Sequence, residues 1–260
     1  MKIVSLASGS AGNCTYIETD GTRLLVDCGM SARATHQALK TQGIASESLN
    51  GIVVTHEHAD HINGAFLFGK RHGVPIYTNL PTYTAIKATL PITKVTHFTT
   101  GSEFSIGNTS IVPFSLPHDA AEPVGFCIET GEGKIAYVTD LGNIASDLAE
   151  KIIGARVIYL EFNHDRGMLE TGPYPFHLKE RIAGEKGHLS NSDAAKLLTA
   201  TTTPKLEAVF LGHLSRTNNL PRLAKRAAKA VLDGKRPEVQ VIVADQFQPR
   251  EITLRQLPRL

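Results

Sequence analysis

The sequence predicts a layered α/β domain. Three observations carry this: short runs rich in Val, Ile and Leu recur from end to end, helical stretches lie between them, and no Pro/Ser-rich linker interrupts the series. The strand-like runs fall at residues 2–6, 15–18, 23–27, 51–55, 75–78, 110–114, 125–129, 134–139, 156–161, 208–211 and 240–244. Several are continuously apolar, as strands covered on both faces must be. Helices are expected at 31–41, 61–72, 80–89, 145–153, 190–199 and 221–232. Ser190 or Asn191 can cap the fifth, and Pro221 suits the first turn of the last. Residues 163–189, rich in Gly, Pro, His and charge, are too long for a routine connection and read as a functional loop. All of 1–260 reads as one domain.

Composition excludes several classes. With 42% hydrophobic and 20% charged residues the chain is neither disordered nor a small disulfide scaffold. Cys14, Cys28 and Cys127 are odd in number and lack C-x-x-C spacing, so they read as reduced, small hydrophobic side chains. Apolar stretches such as 155–162 (ARVIYLEF) contain charge and stop short of the roughly 18 residues a bilayer span requires. The N-terminus reaches glycine before it builds a signal core. The expectation is therefore a cytoplasmic protein with no membrane contact. The formal charge of +2 is uneven: residues 205–260 hold 11 Lys/Arg against 5 Asp/Glu, which suits an anionic substrate and equally the solvated face of a helix.

The strongest chemical signal is Thr55-His56-Glu57-His58-Ala59-Asp60-His61, directly after the apolar run 51–54. A strand ending at Thr55 delivers this turn to a sheet edge, where His56 and His58 can bind one cation and Asp60 with His61 a neighbouring one. Nitrogen and oxygen donors without thiolate suit zinc and tolerate manganese or iron. Further donors stand where other strands end: His118 after 111–117, Asp140 after 134–139 and His213 after 208–212. Asp27, at the end of 23–26, is expected to orient the ligand loop from behind.

H-x-H-x-D-H followed in order by His118, Asp140 and His213 resembles the metallo-β-lactamase superfamily. The resemblance implies a four-layer αββα sandwich with metals at one edge of the paired sheets. By it, His56, His58 and His118 hold a first metal, Asp60, His61 and His213 a second, and Asp140 bridges them, giving two divalent ions, Zn²⁺ or Mn²⁺. His58, where the flavodiiron branch usually carries glutamate, argues against that branch.

Other segments resemble the YycJ/WalJ/VicX family of bacterial metallo-hydrolases: 5–17 (SLASGSAGNCTYI), 161–165 (EFNHD), 174–191 (YPFHLKERIAGEKGHLSN) and 211–219 (LGHLSRTNN). Phe162 stands where a smaller residue is expected. This resemblance implies a DNA exonuclease acting from the 5′ end of duplex DNA, the nucleophile being hydroxide held by the metals. The alternatives are a small-molecule (cyclic or nucleotide) phosphodiesterase, or a regulatory protein that keeps the metal fold without turnover. Asp60 can serve as base. The departing 3′ oxygen needs a proton, for which His164 and His188 are the candidates, with Glu161 orienting one of them. Ser10 and Asn13 in the glycine-rich loop can present groups to a phosphate, and Ser215, Arg216, Asn218 and Asn219, just beyond His213, are expected to meet the substrate. With no tryptophan and 6% aromatics, DNA would be held through its backbone rather than on a broad stacking platform. Oligomeric state has no residue signature.

Overall fold

Strand alternation explains the continuous apolar runs. In the computed structural model, which describes residues 1–86, 91 and 93–255, successive side chains of one strand enter two different cores. The chain begins with β1 (Lys2–Ala7), β2 (Cys14–Thr19), β3 (Thr22–Val26), α1 (Ala32–Thr41), a 3₁₀ turn (Ser46–Ser48) and β4 (Gly51–Val53). Next come α2 (Ala59–Ile62), α3 (Ala65–His72), β5 (Ile76–Asn79), α4 (Leu80–Ala85), β6 (Val95–Phe98), β7 (Phe104–Ile106), β8 (Thr109–Ser115), β9 (Val124–Thr130) and β10 (Gly133–Val138). The remainder is α5 (Leu148–Ile152), β11 (Val157–Glu161), α6 (Arg166–Thr171), α7 (Phe176–Ala183), α8 (Asn191–Thr201), β12 (Ala208–Gly212), α9 (Pro221–Leu232), β13 (Gln240–Val243) and β14 (Arg250–Thr253).

Among the described residues two seven-stranded sheets form, ordered β14-β1-β2-β3-β4-β5-β6 and β13-β12-β11-β10-β9-β8-β7. Their inner faces meet. Leu24 and Val26 of β3 pack in one core with Ile135 and Tyr137 of β10, Val157 and Tyr159 of β11, and Phe210 of β12. Ser5 Oγ lies 3.1 Å from the Tyr159 hydroxyl, a hydrogen bond between sheets. The alternate residues face outward: Leu25, Ile52 and Ile76 pack under α1 and α3, while Ala136, Ile158, Leu160, Val209 and Leu211 pack under α5, α8 and α9. The order is helix, sheet, sheet, helix, the αββα sandwich. Among the described residues no helix is long and apolar enough to cross a membrane. The three cysteines are free and buried.

Topology brings the chemistry to one edge. β3, β4, β5 and β6 are parallel, as are β10, β11, β12 and β13. β1 runs with β3 across antiparallel β2, and β8 runs with β10 across antiparallel β9. The segments leaving β1, β3, β4, β8, β10, β11 and β12 therefore emerge at the carboxyl ends of strands, the usual place for ligands in such sheets.

Several expectations need correction. The strand before the histidine motif ends at Val53, so the motif leaves the sheet two residues early. The helix expected at 61–72 is broken at Asn63–Gly64 into α2 and α3. A Cβ at Gly64 would lie 2.1 Å from the Met30 carbonyl oxygen, an approach only glycine allows. The helix expected at 80–89 is seen as α4, with 87–89 outside the described residues. Ser190, not Asn191, caps α8 by accepting the Asp193 amide. Residues 163–189 are not simply a loop, since they contain α6 and α7. β6, β7 and β14 were not expected. Each lies at the end of a sheet and is partly exposed, so it lacks the apolar run that marks a covered strand.

Candidate metal centre

The seven predicted ligand residues converge. His56 and His58 follow β4, Asp60 and His61 lie on α2, and His118, Asp140 and His213 leave β8, β10 and β12. Donor atoms of His56, His58 and His118 lie within 4.8 Å of one another, as do those of Asp60, His61 and His213, and those of His56, His61 and Asp140. Asp27, Asp140 and His213 all have positive φ (60°, 58° and 53°). A left-handed conformation at a residue other than glycine costs on the order of 1–2 kcal/mol, and here it turns each side chain back over the sheet edge.

Hydrogen bonds fix which nitrogen of each ring faces inward. Thr55 Oγ1 donates to the Asp27 carboxylate and so accepts from His56 Nδ1 at 3.0 Å, leaving His56 Nε2 without a proton. That Nε2 is buried and has no hydrogen-bond partner. His118 Nδ1 donates to the Gly187 carbonyl at 3.0 Å, and its Nε2 lies 3.3 Å from His58 Nδ1. His61 Nδ1 donates to Asp27 Oδ2 at 2.7 Å, and its Nε2 looks at Asp140 Oδ2 (3.1 Å) and Asp60 Oδ2 (3.6 Å). Leaving a buried nitrogen unpaired costs about 1–3 kcal/mol. A divalent cation is the group that would answer it among converging lone pairs, so the residues fit a metal.

Electrostatics divide the centre into a nitrogen-rich side and an acidic side. Burial, joined by the neighbouring His61, pushes His56 well below the usual imidazole range. Burial also opposes charge on His61, yet Asp140 and Asp27 overcome it and hold this imidazole up to about 10. His213 is likewise raised against burial by Asp140, Asp60 and Glu161. Asp140 is held well below the carboxylate range by His213 and His61, burial opposing. Its two oxygens face both sides, Oδ1 lying 4.0 Å from His118 Nε2 and Oδ2 3.1 Å from His61 Nε2.

Glu161 holds the outer wall. Fully buried at the end of β11, it takes His188 Nδ1 (2.8 Å) and His213 Nδ1 (3.1 Å) on Oε1, and the amides of Leu141 and Leu189 on Oε2. Burial would raise its carboxyl, but His188 and His213 hold it at about 2. Glu161 thus positions two imidazoles where the sequence suggested one, and its oxygens are occupied inside the protein. His188 adjoins the centre, its Nδ1 3.5 Å from Asp140 Oδ1. His164 stands apart, outside these groups and lining a neighbouring cavity.

The remaining candidates divide. Asn13 belongs to the centre: its amide nitrogen lies 3.3 Å from Asp60 Oδ2 and 3.0 Å from His61 Nε2. Ser10 is exposed on the same loop. Ser215 is half-buried and Arg216 exposed, its guanidinium 5.2 Å from the centroid of the Phe247 ring. Asn218 and Asn219 are turned inward, against expectation. Asn219 donates to the carbonyls of Phe162 and Asn163 and pairs with the Asn191 amide, so its donors are spent on the scaffold. Asn218 is fully buried, with its backbone tied to Asp165 and Ser215. Phe162, unexpectedly large, fills the outer core.

Some residues of the centre were not read from sequence. Thr55 relays Asp27 to His56, Ser8 Oγ accepts the His213 amide at 2.8 Å, and Asn163 donates to the His213 carbonyl at 2.9 Å. Asp119 Oδ1 lies 3.4 Å from His118 Nε2, and its place next to a strand-end histidine was the available signal. Away from the centre, α9 exposes Arg222, Lys225, Arg226 and Lys229, none in an ion pair among the described residues.

Residues 22–213 match the beta-lactamase superfamily domain, a span that contains every ligand candidate. The chain is 36% identical over 233 residues to exodeoxyribonuclease YycJ of Bacillus anthracis, covering 88% of each. It is 34% identical over 224 residues to exodeoxyribonuclease WalJ of Streptococcus pneumoniae strain D39, covering 84% of this chain and 83% of that one. Among solved structures, the metallo-beta-lactamase fold protein YhfI of Bacillus subtilis matches with a TM-score of 0.73 at 18% identity, covering 96% of this chain and 99% of that one. That likeness speaks to the fold alone.

Proposed function

Because the chain belongs to the metallo-β-lactamase superfamily, and within it to the family of YycJ and WalJ, we propose that it is a metal-dependent phosphodiester hydrolase that removes nucleotides from the 5′ end of duplex DNA. The observation that carries the reading is the pair of adjoining donor groups, one of three imidazoles and one of a carboxylate with two imidazoles, with Asp140 facing both. His56, His58 and His118 would hold one divalent cation, Asp60, His61 and His213 a second, and Asp140 would stand between them, with Zn²⁺ or Mn²⁺ fitting the donors. Such a pair of ions lowers the pKa of water and neutralises charge on a phosphoryl group.

The chain's own residues supply the rest. Asp60, steadied by the Asn13 amide, would take the proton of the attacking water. The water oxygen bonds to phosphorus and the bond to the 3′ oxygen breaks. We assign protonation of that oxygen to His188, held by Glu161, with His164 farther along the wall. In this reading Ser215, Arg216 and Ser10 would meet the strand, their exposure or half-burial beside the centre supporting it. The exposed cations of α9 suit a phosphate backbone, so DNA affinity should fall steeply with salt through counterion release.

The test is hydrolysis of 5′-labelled and 3′-labelled duplexes after chelation and return of Zn²⁺ or Mn²⁺, beside an Asp140→Ala control. Metal-dependent release of 5′ mononucleotides, reduced on the order of a hundredfold or more in the variant, is the expected result. Intact DNA alongside cleavage of bis-p-nitrophenyl phosphate would leave a phosphodiesterase and remove the nuclease.

A further inference from the structure

Beside the metal centre lies a cavity of ≈560 Å³ whose walls include Gly142, His164, Arg166, Phe176, Lys179 and His188. His188 is shared with the centre, and Gly142 follows Asp140 by two residues. A group in the cavity would therefore lie next to one held at the centre. Resting on the nuclease reading above, we propose that this cavity receives the terminal nucleoside of the strand being cut, with its base against Phe176, so that cleavage is counted one nucleotide from an end.

Size is the first argument. The volume equals a cube roughly 8 Å on a side, within the range of small-ligand pockets but narrower than even the ≈12 Å major groove of a duplex. One unpaired nucleotide fits, and a paired end does not. The second argument is the incomplete wall. None of the side chains of α7 is buried, and Phe176 at its first turn is 73% exposed, the most exposed of the large hydrophobic residues described. Bases stack on such a ring regardless of sequence. Third, His164, only 3% exposed, brings an imidazole to the cavity wall beside His188.

Charge is mixed: Arg166 and Lys179 line the cavity beside the carboxylates of Glu170, Glu180 and Asp193, and Arg166 is engaged by Asp193 at 2.6 Å, so the wall suits an uncharged base and sugar rather than a free phosphate. The cavity is also held in register with the metal centre. Arg181 of α7 donates to Asp119 beside His118 at 2.7 Å, and the Gly187 carbonyl just beyond α7 accepts His118 Nδ1. A Cβ at Gly142 would lie 2.3 Å from the Gly187 amide nitrogen, so the Asp140 loop and the segment after α7 pack backbone to backbone.

The absence of tryptophan provides a direct measurement. In Phe176→Trp the indole is the chain's sole tryptophan, and its fluorescence in the metal-loaded protein reports on the cavity. Deoxynucleoside 5′-monophosphates should quench it saturably, deoxyribose 5-phosphate should not, and an Ile153→Trp reporter at the exposed end of α5, outside the cavity, should stay unquenched. Phe176→Ala, with an unchanged melting temperature, should raise KM for an oligonucleotide by on the order of tenfold relative to bis-p-nitrophenyl phosphate. No quenching at millimolar nucleotide in a protein that still degrades duplex DNA would overturn the assignment, as would equal quenching by deoxyribose 5-phosphate. Quenching by nucleotides in a protein that cuts no DNA would instead uphold the nucleotide cavity and remove the nuclease.

Discussion

At the scale of single residues, the centre is organised from behind its proposed ligands. Asp27 is wholly buried and accepts the Thr55 amide, the Thr55 hydroxyl and His61 Nδ1, thereby setting the tautomers of His61 and, through Thr55, of His56. Asp27→Asn is the informative change, because asparagine tolerates the positive φ of 60° while losing the negative charge. Metal affinity, measured by competition with a chromogenic chelator, should fall 10- to 100-fold, the usual effect of losing such a partner. Unchanged affinity would show that the tautomer is set elsewhere. His164 makes a separate prediction. Burial lowers its pKa to about 4, so an unfolded chain, with an imidazole near 6.5, binds the proton first as pH falls. Its share of stability is complete above about pH 6.5 and is lost between there and about pH 4, on the order of 3 kcal/mol in all. Urea unfolding at pH 7.5 and 5 should show a smaller pH difference in His164→Asn than in the parent, and equal differences would refute the shift. The histidine motif and the strand-end residues were legible because spacing and strand ends are local properties. The Gly187 carbonyl on His118 and the inward turn of Asn218 and Asn219 were not, since each depends on a segment distant in sequence.

At the scale of elements, three segments are knitted so that α2 points its ligands correctly. The Asn13 amide donates to the Asp60 carbonyl, Gly29 to Asn13, Cys28 to His61 and Gly64 to Cys28. A Cβ at Gly29 would fall 1.7 Å from the Asp60 carbonyl oxygen and 2.8 Å from the Asn13 amide nitrogen. Gly29→Ala must therefore part backbone from backbone. We expect the melting temperature to drop by roughly 5 °C or more, with loss of metal affinity. Gly21→Ala is the control: φ is +78° but nothing lies within 4 Å, so only about 1 kcal/mol of backbone strain is at stake. Equal shifts for the two would remove steric contact as the cause. The strands most easily read, β3 and β10 to β12, are those whose alternate side chains enter both an inner and an outer core. The same physics hid β6, β7 and β14, and the unburied α7 shows no apolar stripe to announce it.

For the whole molecule, the proposed ligands do not belong to one sheet. His56, His58, Asp60 and His61 follow β4 of one sheet, whereas His118, Asp140 and His213 leave β8, β10 and β12 of the other. Each proposed ion would draw donors from both, the first joining His56 and His58 to His118, the second joining Asp60 and His61 to His213. Cations bound this way act as cross-links at the open edge of the sandwich, while the opposite edge relies on side-chain pairs such as the buried N-terminal ammonium with Glu132 at 3.0 Å. An unfolded chain cannot present these donors together, so binding energy adds to folding stability. At free metal about a thousandfold above Kd, one site contributes about 4 kcal/mol, or on the order of 10 °C for a chain of this size. Chelation should lower the melting temperature accordingly, and returning Zn²⁺ or Mn²⁺ should restore it in a concentration-dependent way. His118→Ala, which removes a donor on one sheet only, should shrink the metal-induced shift more than it lowers the chelated baseline. A metal-induced shift of equal size in that variant would place the bound ion on one sheet alone and refute the cross-link.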